Sequence, residues 1–322
     1  MNMSNALDGF LFTLKADGYS QATVDLYFYM LTTLTNFLGN CEVGKISPSD
    51  LTRYFVYLRS DYPLQKQTGR KTPLSGSTLQ NHWKAIRRFF RWAEEELGLK
   101  SRPDIRLKLP PNNPKTIMPL SENDVRALVD SAEYSREAHT NGRQNFKMKR
   151  PTAERDTALI VLLLDTGSRA GEASRLNIKD VNLETGEVYI APYGSSHRKT
   201  KSRVIPIGKV TRRVLWRYLS TRPGAETEEP LFPTMAGRRM NNSAVRLLLT
   251  GLGMKAGIKN CHPHRLRHTF AVEYLRNEGD IFTLQMILGH SSLDMVRNYL
   301  QLAKADTKNA HRRASPADKW RL

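Results

Sequence analysis

Four short stretches in the second half of this sequence supply, between them, the parts that metal-free chemistry at a phosphate requires. Those parts are a nucleophile, cations for the non-bridging oxygens as charge builds, and an acid for the leaving oxygen. In 165-DTGSRAGEASRL-176, Arg169 follows Gly167 where an apolar run ends, so its guanidinium can emerge from a rigid support, and Glu172 is placed to orient it. In 262-HPHRLRHTF-270, Pro263 favours a helix start, which puts His264 and Arg267 on one face at an N-terminal end suited to an anion. The stretch 197-HRKTKSRVIPI-207 concentrates lysines and arginines at the tip of an expected hairpin, where one lysine could donate a proton. Finally, 286-MILGHSSLDMVRNYLQL-302 sets His290 nine residues ahead of Tyr299. Taken one at a time, these features have plainer explanations: a structural His-Arg pair, a salt-bridge partner, a solvated hairpin and a core tyrosine.

Competing chemistries lack their motifs. There is no GxxxxGK[ST], HExxH or GxSxG, and no acidic cluster of the kind a two-metal nuclease needs. The segment 261-CHPH-264 has no CxxC-type partner, so neither a metal nor another cofactor is expected. The only cysteines, Cys41 and Cys261, read as free thiols in a reducing compartment. Lys and Arg total 50 against 31 for Asp and Glu, a formal charge of +19, which favours a polyanionic partner with nucleic acid first. The start of the chain does not read as a signal peptide, and the longest apolar stretch, 158-ALIVLLL-164, is too short to cross a bilayer. A cytoplasmic protein with no membrane partner is expected.

The elements that must position these residues fall into two groups. Four helical patterns fill the first hundred residues: an apolar stripe of Leu7, Phe10, Leu11 and Leu14; a run capped by Ser20 through Leu26, Leu31, Leu34 and Leu38; a helix after 47-SPSD-50; and one from 75-SGST-78 to Leu97. The fourth carries Leu79, Trp83, Ile86 and Phe90 on one stripe and Lys84, Arg87, Arg88 and Arg91 on another. The preceding loop, 62-YPLQKQTGRKTPLSG-76, is basic too, and this continuity of charge makes the four cations candidate DNA contacts. The proline-rich 108-KLPPNNPKTIMPLS-121 reads as a linker, giving a helical domain over 1–107, a linker over 108–117 and a second domain over 118–322. Ser121 and Asp124 look like a capping box, 135-SREAHTNGRQNFKMKRPT-152 like a surface insertion, and 186-GEVYIAPY-193 with 203-RVIPIG-208 like paired strands.

In order and joint occurrence, Arg169, the basic hairpin, 264-HRLR-267, 289-GH-290 and Tyr299 resemble the tyrosine recombinases, or phage integrase family. The resemblance covers 117–302 as a catalytic domain, and 1–107 look like the family's core-binding domain. It implies a mainly α fold with a small β-sheet (α+β), the two domains forming a C-shaped clamp on duplex DNA. It further implies a site-specific recombinase that needs no metal and works through a 3′-phosphotyrosine intermediate, serving integration, excision, transposition or dimer resolution. Tyr299 would be the nucleophile, Arg169 and Arg267 would hold the non-bridging oxygens, and His264 would accept a proton near the tyrosine. His290 would bond the phosphate, and Glu172 would orient its neighbours. For the general acid, the family's spacing lands on Arg198; Lys199, in a Lys-Thr pair, is chosen over Lys201 by assuming a hairpin one residue tighter. A homotetramer on two DNA sites follows by analogy, with accessory DNA-bending proteins as further partners. The segment 303–322, with its isolated Trp320, is a candidate for docking onto a neighbouring subunit. With the first helix so near the start, no separate arm-binding domain is expected.

Overall fold

The computed structural model describes residues 1–62, 73–112, 118–135, 147–195 and 198–290, with positions 293, 296, 299, 315 and 317; the side chains of 195, 198 and 199 are outside that set. The expected surface insertion, most of the basic loop and the segment 303–322 therefore fall largely or wholly outside the described residues. The described chain is mainly helical with small antiparallel sheets, as the sequence led one to expect, and it divides into two units. No helix among the described residues is long and apolar enough to cross a membrane.

The first unit is built on Met1–Thr116. Its helices are α1 (Met3–Ala16), α2 (Gln21–Leu38), α3 (Pro48–Ser60) and α4 (Gly76–Leu97). Local chemistry sets their ends. Ser20 and Ser75 each accept a backbone N–H of the first turn, Ser47 and Asp50 form a reciprocal capping box with Pro48 at the first helical position, and Gly98 takes a left-handed conformation after α4. The apolar face of α4 buries Leu79, Ile86, Phe89, Phe90 and Trp92. Phe10 of α1 meets Phe89 edge-on at 5.6 Å, and Trp92 donates its indole N–H to Thr13 at 3.0 Å. Within this core the Tyr54 hydroxyl hydrogen-bonds His82 Nδ1 at 2.9 Å, and burial pushes that imidazole down to about 4, leaving it neutral. On α2 the expected stripe needs correcting: Leu26 is exposed, and Val24 and Met30 join Leu31 and Leu34 in the core instead.

The second unit runs from Ile117. Its elements are α5 (Glu122–Glu133), α6 (Ala153–Thr166), the single turn α7 (Ala170–Ala173), β1 (Val181–Asn182) and β2 (Glu187–Ile190). After the hairpin strands β3 (Gly194–Ser195) and β4 (Arg198–Lys199) come β5 (Arg203–Pro206), α8 (Lys209–Ser220), α9 (Asn242–Lys255), α10 (Pro263–Arg276) and α11 (Ile281–Leu288). Tyr193–Lys199, which include β3 and β4, group with the first unit. The three-stranded sheet has the order β1-β2-β5, with Val188 opposite Ile205, so Val188, Ile190 and Ile205 face the core while Tyr189 and Val204 face out. Helix α6 is the central support, packing on α5, α8 and α10 through Leu159, Leu162 and Leu163, all buried.

Candidate active site

Arg169 owes its position to Gly167. That glycine ends α6 in a left-handed conformation (φ +58°), and a Cβ there would lie 2.3 Å from the Phe270 ring on α10, so only glycine lets α6 and α10 approach this closely. The chain then turns into α7 with Arg169 as its cap. Glu172, one turn on, accepts the Arg169 backbone N–H at 2.8 Å and its Nη1 at 3.1 Å. The Glu172 carboxylate also takes a forked pair of bonds from Arg203 of β5, at 3.1 and 2.8 Å. Burial alone would raise the Glu172 carboxyl, but the bonds and charge of Arg203, aided by Arg169, outweigh it and hold the group below the usual carboxylate range.

Arg267 is the hub. It lies one turn into α10, is 4% exposed, and donates to the carbonyls of Gly167 at 2.7 Å and Leu288 at 2.8 Å. Its Nη2 also meets His290 Nε2 at 2.6 Å. Because a guanidinium only donates, Nε2 of His290 must accept, and the proton of the neutral ring sits on Nδ1. That Nδ1 is buried without a partner among the described residues. Burial first, then the charges of Arg267, Arg169 and Arg203, press His290 down to about 4, so it is neutral at physiological pH. Arg267 itself is pulled down to about 10, mainly by burial and then by Arg169, and stays charged.

Tyr299 lies against this hub. Its side chain is 5% exposed and packs with Val272, Leu284, Leu288 and Val296, so the residue does fill a core. The same ring stacks on His290, with centroids 6.3 Å apart and planes 15° apart, and meets His268 at 5.2 Å. Burial holds the phenol above its ordinary range, offset only in part by the charges of Arg267 and Arg169. His264 sits at the start of α10 where solvent reaches it; partial desolvation and the charges of Arg267, Arg169 and Arg246 keep it below the ordinary imidazole range.

Arg169 with Glu172, and Arg267 with His290 and Tyr299, thus form two groups of direct contacts, joined through Arg203 and the Gly167 carbonyl, with His264 in the field of Arg267 and Arg169. Lys199 is the second residue of β4, its backbone opposite Gly194; its side chain is outside the described residues, and Lys201 is exposed. Two neighbours escaped the sequence reading. Arg203 looked like one more cation of a basic hairpin, and His268 like a helix residue beside Arg267; the signal for each was only its adjacency to a candidate. On α4, Lys84 and Arg91 are exposed, with no hydrogen bond or ion pair among the described residues. Arg87 lies over Trp83 and 3.5 Å from Asp104, and Arg88 lies over Tyr19 and 3.8 Å from Asp17.

A hub of buried arginines with a tyrosine and a histidine against it, on a mainly helical scaffold, has the residue types that metal-free phosphoryl transfer requires. Comparison with known proteins agrees. The phage integrase family matches residues 119–306, and the phage integrase SAM-like domain matches 10–106. The chain is 27% identical to tyrosine recombinase XerD of Oceanobacillus iheyensis, over 97% of this chain and 98% of the relative. With tyrosine recombinase XerC of Salmonella typhi it shares 31% identity over 72% of each chain. In fold it is similar to the Tn1549 transposon integrase in complex with transposon right-end DNA, with a TM-score of 0.73 and 18% identity over 96% of this chain and 99% of that one. A lambda integrase dimer bound to a core site gives 0.67 and 16%, over 92% and 97%. The chain belongs to the phage integrase family: it is a tyrosine-type site-specific recombinase, an enzyme that cleaves and rejoins DNA.

Proposed function

We propose that Tyr299 is the nucleophile of this recombinase and that the buried Arg267 hub is the phosphate seat. The carrying observation is that one guanidinium bonds the Gly167 and Leu288 carbonyls and His290, and that the Tyr299 ring stacks on that same histidine. In this reading the Tyr299 O–H bond breaks, its oxygen bonds to phosphorus, and the bond from phosphorus to the 5′ oxygen breaks. His264, held neutral, takes the phenolic proton. Lys199 gives one to the leaving oxygen, with Lys201 and Arg198 as the alternatives for that step. Arg169 and Arg267 stabilise the charge on the non-bridging oxygens, the Nδ1–H of His290, which has no partner among the described residues, takes a phosphate oxygen as its acceptor, and Glu172 orients Arg169. The phosphodiester energy is kept in the 3′-phosphotyrosine, and reversal of the steps reseals the strand.

Residues 1–107 serve as the core-binding domain, joined through 108–117 to the catalytic domain over 118–322, and Lys84, Arg87, Arg88 and Arg91 contact duplex DNA through its phosphates. The enzyme acts in the cytoplasm as a homotetramer on two DNA sites, with accessory DNA-bending proteins as possible partners, and 303–322 docks on a neighbouring subunit. Its position after Tyr299 and its isolated Trp320 support that role; truncation after Arg313 that left synapsis unchanged would remove it. The direct test of the chemistry is trapping on a nicked suicide substrate followed by identification of the modified residue. A DNA adduct on Tyr299, insensitive to chelators, is the expected result; an adduct elsewhere, or chelator inhibition reversed by a divalent ion, overturns the assignment.

A further inference from the structure

Arg203 holds more of this site together than its place in a basic hairpin suggests. Its side chain is only 10% exposed. All three nitrogens of its guanidinium are used: Nη1 and Nη2 fork onto Glu172 at 3.1 and 2.8 Å, and Nε donates to the carbonyl of Ile287 at 2.7 Å. Glu172 is the group that fixes Arg169, through its backbone N–H and its guanidinium. Ile287 lies in the last turn of α11, which ends at Gly289, immediately before His290. Gly289 has φ +63°, and a Cβ there would lie 3.0 Å from Arg203 Nη1 and 3.1 Å from its Cζ, so the glycine leaves room for the guanidinium to lie against the turn. We infer that Arg203 is a positioning residue: it ties Arg169, through Glu172, to the turn that presents His290, and so sets the two sides of the phosphate seat in register. This inference rests on the reading of Arg169 and His290 as groups that hold the scissile phosphate.

A lysine can keep the charge but not the three-pronged geometry, because it offers a point charge where the planar fork is needed. Arg203→Lys therefore separates charge from geometry, and Gly289→Ala presses on the same guanidinium while leaving every charge in place. The measurement is single-turnover adduct formation on a suicide substrate, with DNA affinity and thermal midpoint followed in parallel. It is run on an ordinary phosphodiester and on a methylphosphonate, in which a methyl group replaces one non-bridging oxygen and removes the charge that must be held. Both variants should form adduct on the phosphodiester at least ~10-fold more slowly, with affinity within ~2-fold of the parent, the signature of an interaction realised in the transition state. On the methylphosphonate the deficit should shrink to ~3-fold or less, in parallel with Arg169→Ala. Equal deficits on both substrates would show a loss of fold rather than of phosphate positioning, and overturn the inference; so would Arg203→Lys cleaving at the parental rate. Arg169→Ala cleaving normally would instead overturn the underlying assignment of Arg169, a result distinct from either.

Discussion

The two cation-rich regions of this protein are built on opposite principles. On α4, Lys84 and Arg91 stand in solvent, and Arg87 and Arg88 lean on Trp83 and Tyr19 at the edge of a core. In the second unit, Arg267 and Arg203 are almost wholly buried, and their donors are committed to carbonyls, a carboxylate and a histidine. Exposed charges are screened by salt and act additively on a polyanion, so they suit affinity and tracking of a backbone. Buried donors act where water is excluded and need no reorganisation during reaction, so a few of them can govern a rate. The lysine-rich hairpin and the α4 stripe look alike in sequence, yet Arg203 at the hairpin's foot belongs with the buried class.

The sharpest way to break this contrast is Tyr299→Phe. It should abolish the covalent adduct while leaving DNA affinity nearly intact; a Tyr299→Phe variant still joined to DNA would falsify the nucleophile assignment. Next in size, Arg267→Lys keeps a charge but cannot serve two carbonyls and His290 at once, and single-turnover cleavage should fall by about 10² to 10³. Lys84→Ala and Arg91→Ala should each weaken binding only a few-fold, equally on specific and random duplexes, and lower the salt slope by about 1. Cleavage of saturated substrate by these variants should match the parent, and a large rate loss would dissolve the distinction between the regions.

The smallest expected effect is on stability and spans both regions. His82 in the first unit and His268 and His290 in the second all sit at about 4, chiefly through burial. Between pH 6.5 and 4 the unfolded chain therefore binds more protons than the native one, so stability rises with pH through that window and is level above it. The thermal midpoint should hold from pH 8 to 7 and drop by several degrees towards pH 4.5, and His82→Gln should remove only the share of the first unit. A midpoint independent of pH over this range would show that these imidazoles are not desolvated.

Local elements were legible because their signals are local. The capping pairs Ser47 with Asp50 and Ser121 with Asp124, the glycine stops at Gly98 and Gly167, and the alternation of β2 and β5 all follow from neighbours in the chain. The two-residue β1 is too short to leave a pattern, and Leu26 shows that an apolar residue in phase with a helix can still face solvent. The residue types for phosphate chemistry, and their order, were likewise present in the sequence. What only the tertiary structure decided is which cations become buried donors. Arg267 reaches Gly167, a hundred positions away, and Arg203 reaches both Glu172 and Ile287, because α6, α10, α11 and β5 converge. Desolvation depends on everything packed around a side chain, and no spacing along the chain encodes it. For Tyr299, core filling does not exclude the proposed chemistry: the packing that buries the ring is also what holds it against His290.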